Sequence, residues 1–186
     1  MATSSKKEGV VFVAALPDEV KGLEGFQFTG VGKINAAMRT MKIVMEQKPK
    51  KIVNFGTAGT YTGLKDLVKC TKFYERDMDV TALGFKFGET PFDELAAKEI
   101  IFSEDGYSCG TGDSFAPCRS ALNEEVVDME SYAIAKVCKM MNVEFESYKY
   151  ISDNADESAA QDWQENVSKG AALFKEQVLD QFYTDQ

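Results

Sequence analysis

The chain has 186 residues, a formal net charge of −9 and an isoelectric point near 4.7. That acidic balance argues against a nucleic-acid groove or an anionic membrane face as the main partner and points to a small molecule instead. The length fits one domain, residues 1–186, built around a single core.

The sequence contains no histidine. Ser-His and Cys-His nucleophilic catalysis and the usual mixed histidine-carboxylate metal sites are thereby excluded, so acid-base chemistry falls to carboxylates. Cys70, Cys109, Cys118 and Cys138 are scattered without CxxC spacing. They read as reduced core thiols of a cytoplasmic protein, with no metal or cofactor expected. Residues 1–9, MATSSKKEG, are polar and expected to lie outside the fold. The VVFVAAL run that follows goes straight into Leu-Pro-Asp-Glu, too short for a signal peptide and far short of a membrane span.

Val10 to Leu16 is a continuous apolar run rich in β-branched residues, the pattern of a central strand covered on both faces. Pro17-Asp18-Glu19 breaks it. Open α/β sheets place ligands at the carboxyl ends of such strands, which makes Glu19 a site candidate, although many such residues only begin a helix. Ile34, Ala37, Met38, Met41, Val44 and Met45 then form a helical apolar stripe closed by Pro49. The preceding Gly30-Val31-Gly32-Lys33 lacks both the full P-loop and the dinucleotide fingerprint, and reads as a tight turn.

Lys51 to Phe55 reads as the second buried strand. Gly56-Thr57-Ala58-Gly59 after it offers either a tight turn or a close backbone approach to a ligand. Val68 to Phe73 is a further strand. Glu75 to Phe92, rich in glycine and aromatics and weakly periodic, reads as a long loop of the functional or partner-facing kind. Glu99 to Ser103 and Tyr107 to Cys109 are short strands, the second leading into Gly110 to Phe115; an aromatic there can stack on a planar ligand, though phenylalanine is more often core.

From Glu124 to Cys138 the apolar residues Val126, Met129, Ala133, Ile134, Val137 and Cys138 recur at three and four, the stripe of a helix laid on a core. Glu130 falls on that stripe. A carboxylate there must be paired, hydrogen-bonded or functional, or be a cap tilted out of it. Phe145 to Ile151 is the last strand and runs into the acidic Ser152-Asp153-Asn154-Ala155-Asp156. Ser158 to Gln161 has the form of a capping box, opening a closing helix with Trp163, Val167, Ala171, Phe174, Val178 and Phe182 on one face. Strands alternating with helices give an α/β fold, with Glu19, Thr57, Phe115, Glu130 and Asp153 all near strand ends.

Five blocks taken in order resemble the purine nucleoside phosphorylase and nucleosidase superfamily, most closely the 5′-methylthioadenosine/S-adenosylhomocysteine nucleosidases. They are AALPDEV, GVGK with NFGTAG, RDMDVTALGFKFGETP, GTGDSF, and VVDMESYAIAKVC with YISDNAD. The resemblance implies a central mixed β-sheet flanked by helices, and hydrolysis of the N-glycosidic bond of adenine nucleosides in methionine salvage. It also implies a homodimer in which the loop matching residues 75–92 helps to close the neighbour's pocket.

Residue roles are implied in the same way. Asp153 matches the general acid that protonates the purine at N7, and Glu19 the carboxylate that orients and activates water. Met129 and Glu130 match the pair under the ribose, Glu130 accepting from the sugar hydroxyls. Phe115 matches the ring stacked on the base, Ala116 the next residue, whose backbone faces the purine edge, and Ser152 a substrate-binding neighbour of the acid. Thr57 stands where the family often has serine. Such chemistry passes through an oxocarbenium-like sugar. Asp153 is therefore expected to hold a proton near neutral pH, and Glu130 and Glu19 to stay ionised.

The chain departs from the family between Glu19 and Gly30, where relatives carry extra strands, and between Phe92 and Glu99. Phosphorolysis is the rival within the superfamily. Phosphorylases hold phosphate with arginines, one of them at the place this chain gives to Asn54, and here Glu19 occupies the nucleophile side. An inactive nucleoside-binding relative is the rival from another class, and the retained acidic residues speak against it.

Overall fold

A computed structural model describes residues 5–95, 99–115 and 119–184, so Ala116 and Cys118 lie outside the described residues. Strand β1 (Ser5–Lys6) pairs antiparallel with β10 (Tyr183–Thr184) in a small ribbon. The terminal segment expected outside the fold is therefore tied to the chain's other end from Ser5 onward.

The remaining strands form one mixed sheet. Strand β2 (Val10–Ala14) is buried throughout and pairs in parallel with β3 (Phe26–Phe28) and β4 (Lys51–Thr60). Strand β4 continues through Gly56 to Gly59, which rules out a turn there, because that stretch pairs with β9 (Glu144–Asp153) along almost its whole length. Small residues serve a close approach here without ending the strand. Strands β5 (Leu67–Glu75), β6 (Glu99–Ile101), β7 (Tyr107–Thr111) and β8 (Val126–Asp128) complete the sheet. Pairings β4–β8, β8–β7, β7–β5, β5–β9 and β9–β4 close these strands into a ring.

Helix α1 (Lys33–Gln47) stops where Lys48 turns left-handed ahead of Pro49. Helix α2 (Ser131–Met140) starts later than its apolar stripe suggests. Val126 belongs to β8, and its spacing from Met129 and Ala133 happens to mimic helical periodicity. The expected closing helix is two pieces, α3 (Ala159–Asn166) and α4 (Gly170–Gln177). No capping box forms: the Ser158 hydroxyl goes to Asp156 and Asp162, not to a helix N–H.

Two apolar clusters replace the single core, one on each face of the sheet, since alternate residues of a strand face opposite ways. Val11, Val13 and Ile52 pack with Ile43 of α1 and Ile134 of α2. Val10, Phe12 and Phe55 pack with α4, where the Phe55 and Phe174 rings stack at 4.5 Å. The stripe on α1 is only partly buried. Ala36, Ile43 and Val44 face the core, whereas Ile34 and Met38 are 73% and 69% exposed.

Candidate active site

At the carboxyl ends of β2, β8 and β9 the chain leaves a pocket of about 160 Å³. Glu19, Thr57, Phe115, Met129, Glu130, Ser152 and Asp153 all line it, so the structure brings together every described residue that the sequence nominated. Arg76, Asp128 and Trp163 line it as well.

Glu19 is placed by a 3₁₀ turn, Pro17–Val20, which curls back onto the end of β2. Its Oε2 accepts the N–H groups of Ala15 and Leu16, both at 3.0 Å. Its Oε1 accepts the N–H and the hydroxyl of Thr57 at 2.8 and 2.9 Å. Trp163 donates its indole N–H to the same hydroxyl at 2.8 Å, so α3 reaches the carboxylate through Thr57.

Asp153 arrives through an irregularity in the β4–β9 ladder. Ala58 pairs with Ile151 and Gly59 with Asp153, leaving Ser152 as the extra residue. The Asp153 carboxyl accepts the Ser152 hydroxyl at 2.8 Å and the Ala155 N–H at 2.9 Å. Burial drives its pKa above the ordinary carboxylate value; these two hydrogen bonds oppose the shift, while Asp162 and Asp156 add to it. That direction agrees with the proton expected on it.

Glu130 differs from expectation. Burial, with Asp128 close by, pushes its pKa up to about 8, against the pull of Lys149 and the Gly32 N–H. The shift favours its protonated form. A helix N-terminus favours an anion, but the donors at the start of α2 go elsewhere. Asp128 takes the Ser131 N–H at 2.9 Å, and the Thr111 hydroxyl takes the Tyr132 N–H at 2.8 Å. Among the described residues the Glu130 carboxyl keeps only the Gly32 N–H, at 2.9 Å. Gly32 itself has φ +91 at the entry to α1, which suits glycine and presents that N–H to the carboxyl.

Beneath the pocket Lys149 and Asp128 form a fully buried ion pair at 2.8 Å. Desolvation and Lys149 act in opposite senses on Asp128, and the lysine wins, holding the carboxyl below its usual range. The sequence carries a signal for this pair, a lysine set inside the Phe145 to Ile151 strand. Asn54 lies outside the pocket wall. Its amide oxygen accepts from the Ser131 and Ser147 hydroxyls, a packing role beneath α2.

A ring of mixed strands with helices on both faces, and carboxyl groups gathered at strand ends, defines an α/β protein of the nucleoside phosphorylase/hydrolase class. No protein-family model matches the chain. It is 31% identical over 196 aligned residues to a 5′-methylthioadenosine/S-adenosylhomocysteine nucleosidase of Shewanella piezotolerans, covering 90% of this chain and 84% of that protein. The chain belongs to the 5′-methylthioadenosine/S-adenosylhomocysteine nucleosidase family.

Solved structures agree on the fold. A mutant of the Helicobacter pylori nucleosidase with 5′-methylthioadenosine in the active site has a TM-score of 0.82 at 20% identity, covering 95% of this chain and 99% of that one. Futalosine hydrolase of Helicobacter pylori has a TM-score of 0.82 at 21% identity, covering 92% and 97%.

Proposed function

We propose that the protein hydrolyses the N-glycosidic bond of adenine nucleosides such as 5′-methylthioadenosine or S-adenosylhomocysteine, releasing adenine. The observation that carries this reading is the convergence of Asp153, Glu19 and Glu130 on one pocket, with the pKa of Asp153 raised. Asp153 donates a proton to the leaving purine, which makes it a better leaving group. Glu19 orients the attacking water, its carboxylate held in place by the Thr57 and β2 donors. Glu130 and Met129 hold the ribose, Phe115 stacks on the base, and Ser152 and the Ala116 backbone complete the binding set.

Two features of the surface support a homodimer. Ile34 and Met38 on α1, and Leu83 and Phe92 in the 75–92 loop, leave large apolar side chains in water. The reading places the protein in the cytoplasm, in methionine salvage.

Arg76 is the one observation that favours phosphorolysis, since a guanidinium suits phosphate. Against it, one terminal nitrogen of that group is already engaged by the carbonyls of Gly112 and Ser114. Assaying 5′-methylthioadenosine in phosphate-free buffer separates the readings. Hydrolysis releases adenine without phosphate, phosphorolysis releases it only when phosphate is added, and an inactive relative releases none in either case.

A further inference from the structure

Arg76 faces the pocket, yet nothing in the chemistry above uses it. It follows directly on β5 and is only 8% exposed. Its N–H donates to the Thr111 carbonyl at 2.9 Å, and its Nη2 donates to the carbonyls of Gly112, at 3.4 Å, and Ser114. Among the described residues it forms no ion pair, and its Nε is buried without a partner. The Asp77 carboxylate is near enough to feel the guanidinium's charge but is not in contact with it, so backbone carbonyls supply the direct partners of a group stripped of water, and the position calls for a compensating use.

The chain around it is shaped to the guanidinium. A Cβ on Gly112 would stand 2.8 Å from Arg76 Cζ, and one on Gly110 would stand 3.2 Å from its Cβ. Asp77, the next residue, grips the same turn by accepting the Asp113 N–H at 2.9 Å. Asp113 in turn accepts the Lys33 N–H at 2.8 Å, one residue from the Gly32 N–H that meets Glu130. The turn held in this way leads directly into Phe115.

We propose that Arg76 is a positioning residue for base recognition: its guanidinium fixes the turn from Gly112 to Ser114 so that Phe115 presents its ring to the purine. The proposal rests on the reading that Phe115 stacks on the base, and the test separates the two.

Adenine affinity is measured by calorimetry for the wild type, Arg76→Lys, Phe115→Ala and the double variant. Lysine keeps the charge but lacks the planar guanidinium against which Gly112 is packed, and its ammonium sits on a flexible stem. Losing a charge-assisted hydrogen bond or a stacked ring weakens binding by about tenfold or more, so each single variant loses that much. The double variant binds no more weakly than Phe115→Ala, because the arginine acts through the ring. With substrate, KM rises more than kcat falls. Wild-type adenine affinity in Phe115→Ala sinks the stacking reading, whatever Arg76→Lys does. Weakened binding in Phe115→Ala alone, additive losses in the double variant, or a lower Tm in Arg76→Lys with unchanged affinity each overturn the clamp. Should Arg76→Lys fail to fold, Gly112→Ala, which crowds the guanidinium from the other side, must give the same loss of adenine affinity; wild-type affinity there overturns the proposal too.

Discussion

Gly59 on β4 and Asp153 on β9 face each other so closely that a Cβ on Gly59 would stand 2.5 Å from the Asp153 Oδ1. The same methyl would come within 3.0 Å of the Ala155 Cβ and 3.2 Å of Val127, so only the carboxyl has room to give. Gly59→Ala is therefore expected to swing the carboxyl away from the purine while β4 persists. Misplacing a reacting group by an ångström can cost about 10²-fold, and a fall in kcat of that order is expected with an unchanged circular dichroism spectrum. Wild-type turnover in this variant would mean that the carboxyl position is not critical.

Asp153→Asn removes the transferable proton while keeping the size and the partners Ser152 and Ala155. General acid catalysis is typically worth about 10²–10⁴-fold, and kcat is expected to fall by that much. Because burial already disfavours the charged carboxyl, a neutral amide leaves Tm unchanged or higher. Turnover close to wild type would show that the proton comes from another group.

Glu130 gives a stability signature. Its pKa in the folded chain, about 8, lies above the ordinary 4.5, so folding favours the protonated form. The resulting stabilisation is complete below 4.5 and is lost as pH rises to about 8. Thermal melts across that window should show the wild type losing stability relative to Glu130→Gln, which has no charge to bury. Parallel curves for the two proteins would contradict the assignment.

The dimer is checked by light scattering at assay concentration, where twice the chain mass is expected. Phe92 is 95% exposed and Met38 69% exposed, so Phe92→Glu or Met38→Glu should cost a free chain little and an interface much. A fully active single chain would refute the assembly.

Much of this arrangement was legible in the residues. An apolar run marked β2, the Phe145 to Ile151 stretch marked β9, and an acidic residue after each marked Glu19 and Asp153. What escaped did so for physical reasons. Gly56 to Gly59 leaves a turn and a close backbone approach equally open because glycine is poor in strands, yet β4 needs small residues there to admit the side chains of Glu19 and Asp153. Val126 falls on a helical stripe by coincidence of spacing. Ile34 and Met38 show that periodicity reports an apolar face without saying what covers it. Lys149 and Asp128 lie far apart in the chain, and only the antiparallel register of β4 with β8 and the parallel register of β4 with β9 place them together. The protonation of Glu130 depends on which acceptors occupy the start of α2, and that is decided by Thr111, on another strand.

The extra residue at Ser152 has a consequence for how this site can change over generations. Side chains on a strand alternate between faces, so adding or deleting one residue in β9 ahead of Asp153 would turn its carboxyl away from Gly59. Substitutions at neighbouring positions leave that count intact. Length changes between Gly22 and Gly25, where the backbone borders no pocket residue, leave it intact as well. Lineages carrying this enzyme should therefore accumulate indels freely in that turn, while the spacing from Phe145 to Asp153 stays constant wherever the activity is kept.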